Sequence, residues 1–403
     1  KFGRIFYNRS VVDRVIALVF RAPHSYTGEN VVEISCHGGV YIVQKILDIV
    51  LKNGAVLAQP GEFTKRAFLN GKMDLSEAES VMNLISAQGE KAEKIAVSGM
   101  EGKINKKIIQ IKTSLVDIMA GLSAWSDFPD EDIPQVDRNL LKTKLDAILA
   151  DLISLNSTFF ATRALINGLK IAVTGCPNVG KSSLLNLLMG YQRAIVSDIA
   201  GTTRDVVEGT TMIGDIPVTL FDTAGIRDTV DIVEKLGVQR AKECLADADI
   251  IFVLFDSSRT LCENDREVIS LIDLSKSIAV LNKSDLQLSL DLDEINKYFS
   301  RYVRISAKNS AGIDELKNLV YDFVGMDKLG GSEVFISGQR QFDIINRTIS
   351  ILKEAQCALD NGMTLDAITV LIQNSLDVLA QLTGENATDE VINAVFSKFC
   401  LGK

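Results

Sequence analysis

The segment from residue 175 to residue 182, Gly-Cys-Pro-Asn-Val-Gly-Lys-Ser, contains two glycines, a lysine and a hydroxyl in the spacing GxxxxGK followed by Ser or Thr. Glycines let a backbone wrap closely around an anion, so that its N–H groups point at phosphate oxygens. In this motif Lys181 neutralises the β- and γ-phosphates of a nucleotide, and the Ser182 hydroxyl ligates Mg²⁺. Because the segment lies between a predicted strand and a predicted helix, we interpret it as a phosphate-binding loop rather than an ordinary glycine-rich turn.

Two further segments supply groups that a site for Mg²⁺ and a nucleoside triphosphate needs. Asp222-Thr223-Ala224-Gly225 follows an apolar strand, where an Asp can hold Mg²⁺ through water and a Gly N–H can sense the γ-phosphate. Thr202 and Thr203 lie in the intervening loop, where a hydroxyl can complete the Mg²⁺ shell. Their order along the chain strengthens the interpretation of the phosphate loop.

The base is predicted from two segments nearer the carboxyl end. Asn282-Lys283-Ser284-Asp285 follows the apolar run 277–281. An Asp carboxylate placed there accepts from the ring N–H and the exocyclic amine of guanine, and adenine offers no such donors on that edge. Ser306-Ala307-Lys308 ends the next predicted strand, where a backbone N–H can meet the guanine carbonyl oxygen. The sequence therefore predicts a GTP site, formed by Asn178, Val179, Gly180, Lys181, Ser182, Ser183, Thr202, Thr203, Asp222, Thr223, Ala224, Gly225, Asn282, Lys283, Asp285, Ser306, Ala307 and Lys308.

Hydrolysis needs a group that orients the attacking water. In Ras-like proteins a Gln after the last Gly of the DxxG segment does this, but here that position is Ile226, which cannot hydrogen-bond water. Acidic candidates follow at Asp228, Asp231 and Glu234, and an exposed acidic helix start explains all three equally well. The Asn178 carboxamide could hold a monovalent cation beside the phosphates, although a Pro-Asn turn explains the same residue.

The elements that must position these groups belong to three kinds of segment. Five short apolar runs alternate with helical stretches between residues 168 and 328, which predicts a doubly wound, mostly parallel sheet. Helical periodicity fills 71–167 and 329–403, which is most simply one helical domain interrupted by an insertion. Residues 1–70 mix strand-like runs with one helical stretch, which predicts a small α/β domain. Near the start of the first helical segment, Ser76 and Glu79 have the spacing of a capping box.

Length, charge and composition limit the classes of protein to which the chain can belong. The chain has 403 residues, enough for two or three domains, and a net charge of −9, so a broad nucleic-acid-coating surface is not expected. Six scattered cysteines indicate a reduced, cytosolic chain, and two histidines are too few for a His-rich metal site. We find no signal peptide or uninterrupted apolar run of membrane-spanning length. The chain begins at Lys1 in mid-pattern, which suggests a fragment of a longer protein.

With these residues in view, the whole chain resembles the tRNA-modifying GTPase family MnmE, also called TrmE. Outside the GTPase segment the resemblance depends on specific strings in the family's order. They are Tyr26-Thr27-Gly28-Glu29, His37-Gly38-Gly39, Pro60-Gly61-Glu62-Phe63, Arg66-Ala67-Phe68-Leu69-Asn70, Asp127-Phe128-Pro129-Asp130 and Phe399-Cys400-Leu401-Gly402-Lys403.

The resemblance implies a Ras-like P-loop GTPase domain inserted into a helical domain and preceded by an N-terminal domain that binds tetrahydrofolate and dimerises. It implies a cytoplasmic homodimer that acts on tRNA in a heterotetramer with MnmG, a partner containing FAD. Together they would modify C5 of the wobble uridine, with 5,10-methylene- or 5-formyl-tetrahydrofolate as the one-carbon donor and glycine or ammonium as the nitrogen donor. Transient pairing of the GTPase domains, each with a bound K⁺, would stimulate hydrolysis.

Carried over by position, the family's K⁺ ligands fall on Asn178, Ser197, Ile199 through its carbonyl, and Thr202, and its Mg²⁺ ligands on Ser182 and Thr203. These assignments also bring Ser197 into the nucleotide site. The family's general base, which acts through a bridging water, falls on Glu234, and this favours Glu234 over the other two acids.

The family's folate-contacting positions fall on Glu33, Lys72 and the C-terminal Lys403. Cys400 lies in the family's Cys-x-Gly-Lys tail, which favours a catalytic role at the modification centre, as nucleophile or as a group that shapes the site. A buried small apolar residue is the alternative for this cysteine. Several tens of residues expected at the family's N-terminus, with one basic folate contact, are absent from the sequence.

Two other classes share the nucleotide motifs. An Era-like switch that docks on ribosomal RNA would have a basic RNA-binding appendage, such as a KH domain, after the GTPase segment. A dynamin-like GTPase would use long helices to polymerise. The helical segment ending in Cys-Leu-Gly-Lys favours the tRNA-modifying family over the Era-like switch, and the dynamin-like class is kept as a weaker alternative.

Overall fold

The computed structural model describes residues 1–127, 137–191, 209–222, 243–330, 333–384, 388–397 and 399. The chain forms two compact units. One contains Lys1–Ile85, Ala96–Asn156 and Gly338–Lys403, and the other contains Ser86–Ile95 and Ser157–Ser337. The second unit therefore interrupts the first along the chain, as the hypothesis of an insertion predicts.

The first unit begins with a three-stranded antiparallel sheet. Its strands β1 (Phe2–Tyr7), β2 (Ser10–Phe20) and β3 (Val31–Ser35) lie in that order. Asn8 and Arg9 both have positive φ and join β1 to β2, as expected for a tight two-residue hairpin. Helices α1 (Val40–Lys52) and α2 (Glu62–Leu69) follow. Most of β1 and the start of β2 are exposed and lack an apolar run, so no sequence pattern indicates a strand at these positions.

The rest of the first unit is helical and comes from both sides of the insertion. The two parts share one apolar core. Leu75, Ala78 and Val81, which precede the insertion, pack in the same cluster as Ile392 and Phe396, which follow it. Its helices are α3 (Leu75–Ser86), α4 (Glu90–Met100, whose first residues belong to the other unit), α5 (Lys103–Asp127), α6 (Arg138–Ser157), α12 (Gln339–Asp360), α13 (Leu365–Thr383) and α14 (Asp389–Phe396).

The predicted capping box of α3 is wrong by two residues. The backbone N–H of Asp74 donates to Glu77 Oε2 at 2.8 Å, and that of Glu77 donates to Asp74 Oδ1 at 2.8 Å. Ser76 Oγ instead donates to the Leu382 carbonyl at 3.2 Å. Glu79 binds Arg340 Nε at 2.8 Å. Ser76 and Glu79 therefore join the two chain segments of the helical domain, a role that local spacing cannot reveal.

The second unit is a six-stranded sheet with helices on both faces. The strand order is β5-β6-β4-β7-β8-β9, in which only β5 pairs antiparallel. The strands are β4 (Leu169–Gly175), β5 (Gly209–Ile213), β6 (Ile216–Asp222), β7 (Ile250–Asp256), β8 (Ser277–Asn282) and β9 (Tyr302–Arg304). The helices are α7 (Phe159–Asn167), α8 (Lys181–Tyr191), α9 (Glu263–Ser270), α10 (Leu292–Tyr298) and α11 (Ile313–Val324).

Strand β7 shows why this sheet is covered on both sides. All of its residues are buried; Phe252 and Leu254 pack in one apolar cluster, and Val253 and Phe255 pack in the other. A strand without a polar face can only lie between two layers of helix. The predicted doubly wound fold is confirmed, and the edge strand β5 is an addition to it.

The strand order places the predicted motifs at one edge of the sheet. Strand β4 lies between β6 and β7, so the strand order reverses at β4. In open sheets of this type a ligand binds in the crevice beyond the carboxyl ends of the strands at such a reversal. The segments that follow β4, β8 and β9 in sequence contain the phosphate loop, Asn282–Asp285 and Ser306–Lys308 respectively. Parallel pairing of these strands brings their carboxyl ends to the same edge.

One stretch of the described residues, Arg138–Asn167, has the length and apolar content of a membrane span, and 50% of its most apolar window is buried inside the protein. A core helix of a soluble protein has the same composition, so this stretch alone does not indicate a membrane protein.

Candidate nucleotide site

The phosphate loop connects β4 to α8 through three residues with positive φ. Gly175 has φ of 145°, Asn178 of 62° and Gly180 of 100°. A Cβ atom on Gly175 would lie 2.5 Å from the carbonyl oxygen of Leu254, so this position excludes larger residues. The glycines therefore serve both the unusual backbone angles and the close packing against β7.

Lys181 and Ser182 begin α8 at the end of this loop. Lys181 Nζ donates to the carbonyl oxygens of Gly175 at 2.9 Å and Cys176 at 2.8 Å, so the ammonium lies over the loop. Ser182 and Ser183 are exposed in the first turn of the helix, where the helix dipole and unpaired N–H groups favour an anion. These residues can hold phosphate, and the Ser182 hydroxyl is a ligand that suits Mg²⁺.

Asn282, at the end of β8, connects two of the predicted loops. Its Nδ2 donates to the Val179 carbonyl at 2.8 Å, and its Oδ1 accepts from the Ala307 N–H at 3.0 Å. The side chain is only 3% exposed. A Cβ atom on Gly180 would overlap the Asn282 amide. Asn282 thus ties the phosphate loop to the segment after β9, a bracing contact that its place in a nucleotide motif does not reveal.

Asp285 is exposed, and its carboxylate is oriented by a neighbouring hydroxyl. Ser306 Oγ donates to Asp285 Oδ1 at 2.6 Å, and the hydrogen bond from Ser306 holds the pKa of Asp285 below its usual value. The Ser284 N–H donates to the Ile305 carbonyl at 2.9 Å, which joins the two loops by their backbones. The pair predicted to recognise guanine is therefore brought together by the fold.

Lys283 makes a contact that the sequence did not suggest. It has φ of 63°, and its Nζ lies 2.5 Å from Asp256 Oδ2 at the end of β7. Burial alone would raise the pKa of Asp256, but hydrogen bonds from Lys283 and Ser258 lower it below its usual value. The ion pair fixes the Lys283 stem beside Asp285. The sequence sign of this contact was Asp256, an acidic residue that ends the otherwise apolar strand β7.

A buried cluster lies beside the phosphate loop and was also missed. Asp265 is 1% exposed and accepts from Arg259 Nη1 at 2.6 Å and Nη2 at 3.1 Å. Burial raises the pKa of Asp265, but bonds from Arg259 and from the thiols of Cys176 and Cys262 lower it to about 2. Burial, with the nearby Asp265 charge, raises the pKa of the Cys176 thiol to about 12. Cys176 is therefore an uncharged thiol in the wall of the loop.

The predicted folate residues lie in the first unit. Glu33 is exposed on β3, and Lys72 is exposed after α2. Lys72 Nζ donates to the Pro23 carbonyl at 3.2 Å, and Asn70 Nδ2 donates to the Thr27 carbonyl at 2.8 Å. Lys72 is thereby held against the loop between β2 and β3.

The remaining predicted site residues lie outside the described part of the chain. Asp222 ends β6, but only its backbone is described. The others are Ser197, Ile199, Thr202, Thr203, Thr223, Ala224, Gly225, Ile226, Asp228, Asp231, Glu234, Cys400 and Lys403.

Comparison with known families gives matches along almost the whole chain. A family described as "GTP-binding protein TrmE N-terminus" matches residues 1–72, and one described as "MnmE helical domain" matches residues 75–400. A tRNA modification GTPase MnmE of Clostridioides difficile (strain 630) is 40% identical over 405 residues, covering 100% of this chain and 88% of the relative. Another, from Lactococcus lactis subsp. cremoris (strain SK11), is 42% identical over 403 residues, covering 100% and 88%.

Among solved structures, Era in complex with MgGDPNP and nucleotides 1506-1542 of 16S ribosomal RNA is 34% identical, with a TM-score of 0.32, over 38% of this chain and 56% of that chain. The full-length relatives and the two family matches carry the assignment. The chain, whose P-loop domain is inserted into a helical domain, therefore belongs to the MnmE (TrmE) family of tRNA modification GTPases.

Proposed function

We propose that this protein hydrolyses GTP as the nucleotide-dependent component that installs an aminomethyl-type group at C5 of the wobble uridine, U34, of tRNA. The observation that carries the proposal is the convergence of the phosphate loop, Asp285 and Ser306 at one edge of the sheet, in a chain whose family modifies tRNA. The relatives are described as tRNA modification GTPases, a description that joins GTP hydrolysis to tRNA modification.

The nucleotide is held at both ends. N–H groups of the loop and Lys181 face the phosphates, and Ser182, with Thr203, supplies oxygen ligands for Mg²⁺, which neutralises phosphate charge when bound. The role proposed for the Asp222-Thr223-Ala224-Gly225 segment is to hold Mg²⁺ through the Asp and to sense the γ-phosphate through the Gly N–H. The Asp285 carboxylate accepts from the guanine ring N–H and amine, and its depressed pKa keeps it ionised.

Asn178 supplies an oxygen ligand for K⁺ beside the phosphates, with Ser197, the Ile199 carbonyl and Thr202. Its positive φ turns the residue at the tip of the loop. A cation there offsets charge that develops during phosphoryl transfer, as an arginine finger does. The expected result is faster GTP hydrolysis in K⁺ than in Na⁺. Equal rates in the two salts would remove this role from Asn178.

Glu234 acts as the general base through a bridging water, since Ile226 cannot orient one. Replacement of Glu234 by Gln slows hydrolysis and leaves GTP affinity close to that of the parent protein, whereas Asp228→Asn and Asp231→Asn serve as matched controls. A single-turnover assay separates the two effects. An unchanged rate in Glu234→Gln would move the base to one of the other acids.

The modification chemistry belongs to the N-terminal domain and the C-terminal tail. Glu33, Lys72 and Lys403 bind a 5,10-methylene- or 5-formyl-tetrahydrofolate, and the protein acts in the cytoplasm as a homodimer with the FAD-containing MnmG. Lys72 already lies against the loop between β2 and β3, through its bond to Pro23. This contact gives a folate carboxylate or ring a fixed positive charge to bind.

Cys400 acts at the modification centre and not in hydrolysis. Cys400→Ser therefore retains GTP hydrolysis and abolishes wobble-uridine modification, whereas Cys357→Ser, an exposed cysteine on α12, retains both. The check is a GTPase assay together with nucleoside mass analysis of tRNA from complemented cells. Normal modification by Cys400→Ser would exclude it from the reaction.

The deciding experiment for the function is mass analysis of wobble uridines from cells lacking the protein. Loss of the C5 modification, restored by the parent gene and not by Lys181→Ala, is expected. Intact modification accompanied by a defect in ribosome assembly would favour an Era-like switch. The described residues from 339 to 397 form three helices and contain no strand, so they do not resemble a KH appendage.

A further inference from the structure

Two thiols and a carboxylate meet beside the phosphate loop. One ligand atom from each of Cys176, Cys262 and Asp265 lies within 4.8 Å of the others. Cys176 is the second residue of the loop and is 5% exposed, whereas Cys262 is exposed at the residue preceding α9. Cys262 is therefore the less buried of the two cysteines, and Cys176 belongs to the wall of the nucleotide site.

The arrangement does not suit a metal ion. Asp265 already accepts from both terminal nitrogens of Arg259, from the Cys262 N–H at 3.0 Å and from Cys262 Sγ at 3.1 Å. A cation would have to displace these donors and sit beside the guanidinium charge. The same bonds hold the two thiols in place, because each sulfur is oriented by one shared carboxylate.

The distance between the sulfurs is within reach of a bond. The two sulfurs lie within 4.8 Å of each other, and a disulfide needs sulfur atoms about 2.05 Å apart, so formation of the bond requires a movement of the two side chains toward each other. Cys262 lies at the start of α9, where its N–H donates to Asp265 Oδ2 at 3.0 Å, and it is less buried than Cys176. Disulfides in cytosolic proteins are usually transient and redox-sensing.

We propose that Cys176 and Cys262 form a reversible disulfide modification site that responds to peroxide and weakens GTP binding. The Cys262 sulfur attacks one oxygen of hydrogen peroxide, which breaks the O–O bond and gives a sulfenic acid and water. The neutral Cys176 thiol then attacks the Cys262 sulfur and passes its proton to the departing hydroxyl, so that the S–O bond breaks, an S–S bond forms and a second water leaves. Peroxide is the oxidant; each thiol loses one hydrogen and both sulfurs are oxidised.

The bond acts on the loop through the Cys176 backbone. The Cys176 carbonyl accepts from Lys181 Nζ at 2.8 Å, and the residue follows Gly175, whose close approach to Leu254 leaves no slack. Drawing the Cys176 sulfur toward Cys262 therefore displaces a loop whose backbone must match phosphate oxygens closely. Oxidation of the two cysteines thus acts on the nucleotide through the phosphate loop and involves no residue that recognises guanine.

The test uses the purified full chain treated with hydrogen peroxide in the absence of thiols. Peptide mass spectrometry without reduction should find Cys176 and Cys262 in one cross-linked pair. The oxidised protein should bind a fluorescent GTP analogue about tenfold more weakly, within the range of coupling between linked sites. Dithiothreitol should restore the affinity of the reduced protein.

Cys262→Ser keeps a hydroxyl at the start of α9 and should bind GTP like the parent in the reduced state, with no loss after peroxide. Cys357→Ser, which removes an exposed cysteine of the other unit, should still form the cross-link and lose affinity. Absence of the linked peptide, or a linked protein with unchanged GTP affinity, would overturn the proposal. Equal loss in Cys262→Ser would overturn it as well.

Discussion

At the scale of single residues, base recognition depends on one carboxylate with a defined direction. The Ser306 hydroxyl donates to Asp285 Oδ1, which leaves the other carboxylate oxygen and the remaining lone pairs to accept from a base. The same bond holds the pKa of Asp285 below its usual value. An ionised carboxylate is therefore present at lower pH than for an unassisted Asp, and guanine binding should persist into mildly acidic solution.

Replacement of Asp285 by Asn should reverse the base preference. The amide nitrogen is a donor and meets the oxygen that xanthine presents where guanine has an amine. GTP affinity should fall by at least about 100-fold, because two hydrogen bonds to a charged acceptor are worth about 1.5–3 kcal/mol each. A binding competition between GTP and xanthosine triphosphate measures the base preference, and Asp293→Asn, at an exposed position, is the control. A variant that still prefers GTP would contradict this mode of base recognition.

At the scale of elements, the site depends on contacts between strand ends. Strands β4, β8 and β9 deliver three loops to one edge of the sheet, but each loop needs a partner to hold its shape. The Asn282 carboxamide is that partner for two of the loops: it donates to the Val179 carbonyl and accepts from the Ala307 N–H. Helix α9 supports the phosphate loop from another direction through Asp265 and Cys176.

Asn282→Ala should weaken both the fold and the nucleotide site. It leaves the buried Val179 carbonyl and the Ala307 N–H without their partner, at a cost of about 1–3 kcal/mol for each unsatisfied group. The urea concentration at which the second unit is half unfolded should fall, and GTP affinity should fall with it. Asn296→Ala, on the exposed side of α10, is the control. Stability equal to the parent would show that the carboxamide does not brace the loops.

The Asp265 carboxylate should make the second unit sensitive to acid. Its pKa is lowered in the folded protein from 3.8 to about 2, so its contribution is complete above pH 4 and is lost as the pH falls toward 2. The shift corresponds to about 2 kcal/mol. Urea unfolding of the unit between pH 5 and pH 2, followed by hydrogen exchange in β7 and β8, measures the loss.

Asp265→Asn removes this charge and should be less stable at pH 7 with a smaller loss on acidification. Glu263→Gln changes an exposed acid in the first turn of the same helix and should keep the parent's acid sensitivity. An Asp265→Asn variant with the parent's pH dependence would assign the acid sensitivity to other carboxylates.

At the scale of the whole molecule, the helical domain is completed only after the GTPase unit has been made. Glu79 on α3 and Arg340 on α12 are 261 residues apart in the chain and form an ion pair with side-chain exposures of 15% and 18%. Arg340 also donates to the carbonyls of Gln381 and Leu382. These contacts close the first unit across the insertion.

Arg340→Ala should destabilise the first unit by about 3 kcal/mol, because removing one partner of a largely buried pair leaves the other charge unpaired. The urea midpoint of that unit should fall while GTP affinity stays unchanged. Arg347→Ala, an exposed position on the same helix, should have little effect. An unchanged midpoint for Arg340→Ala would show that the apolar core alone joins the two segments.

The sequence predicted the doubly wound sheet because buried strands such as β7 and β8 are continuous apolar runs. It did not predict β1 and β5, since both are edge strands with few buried residues and no such signal. The proposed boundaries of the four sequence segments and the roles of individual site residues stay predictions. Helix starts were also uncertain, as the capping pair of Asp74 and Glu77 shows.

The sequence by itself determined the chemistry of the site. Phosphate, Mg²⁺ and guanine are each met by a few residues in one short segment, and their spacing follows from local backbone geometry. Only the tertiary structure decided which distant groups support those segments. Lys283 pairs with Asp256, Cys176 lies beside Cys262 and Asp265, and Glu79 meets Arg340. Such contacts depend on how strands and helices pack, and no local pattern of residues encodes them.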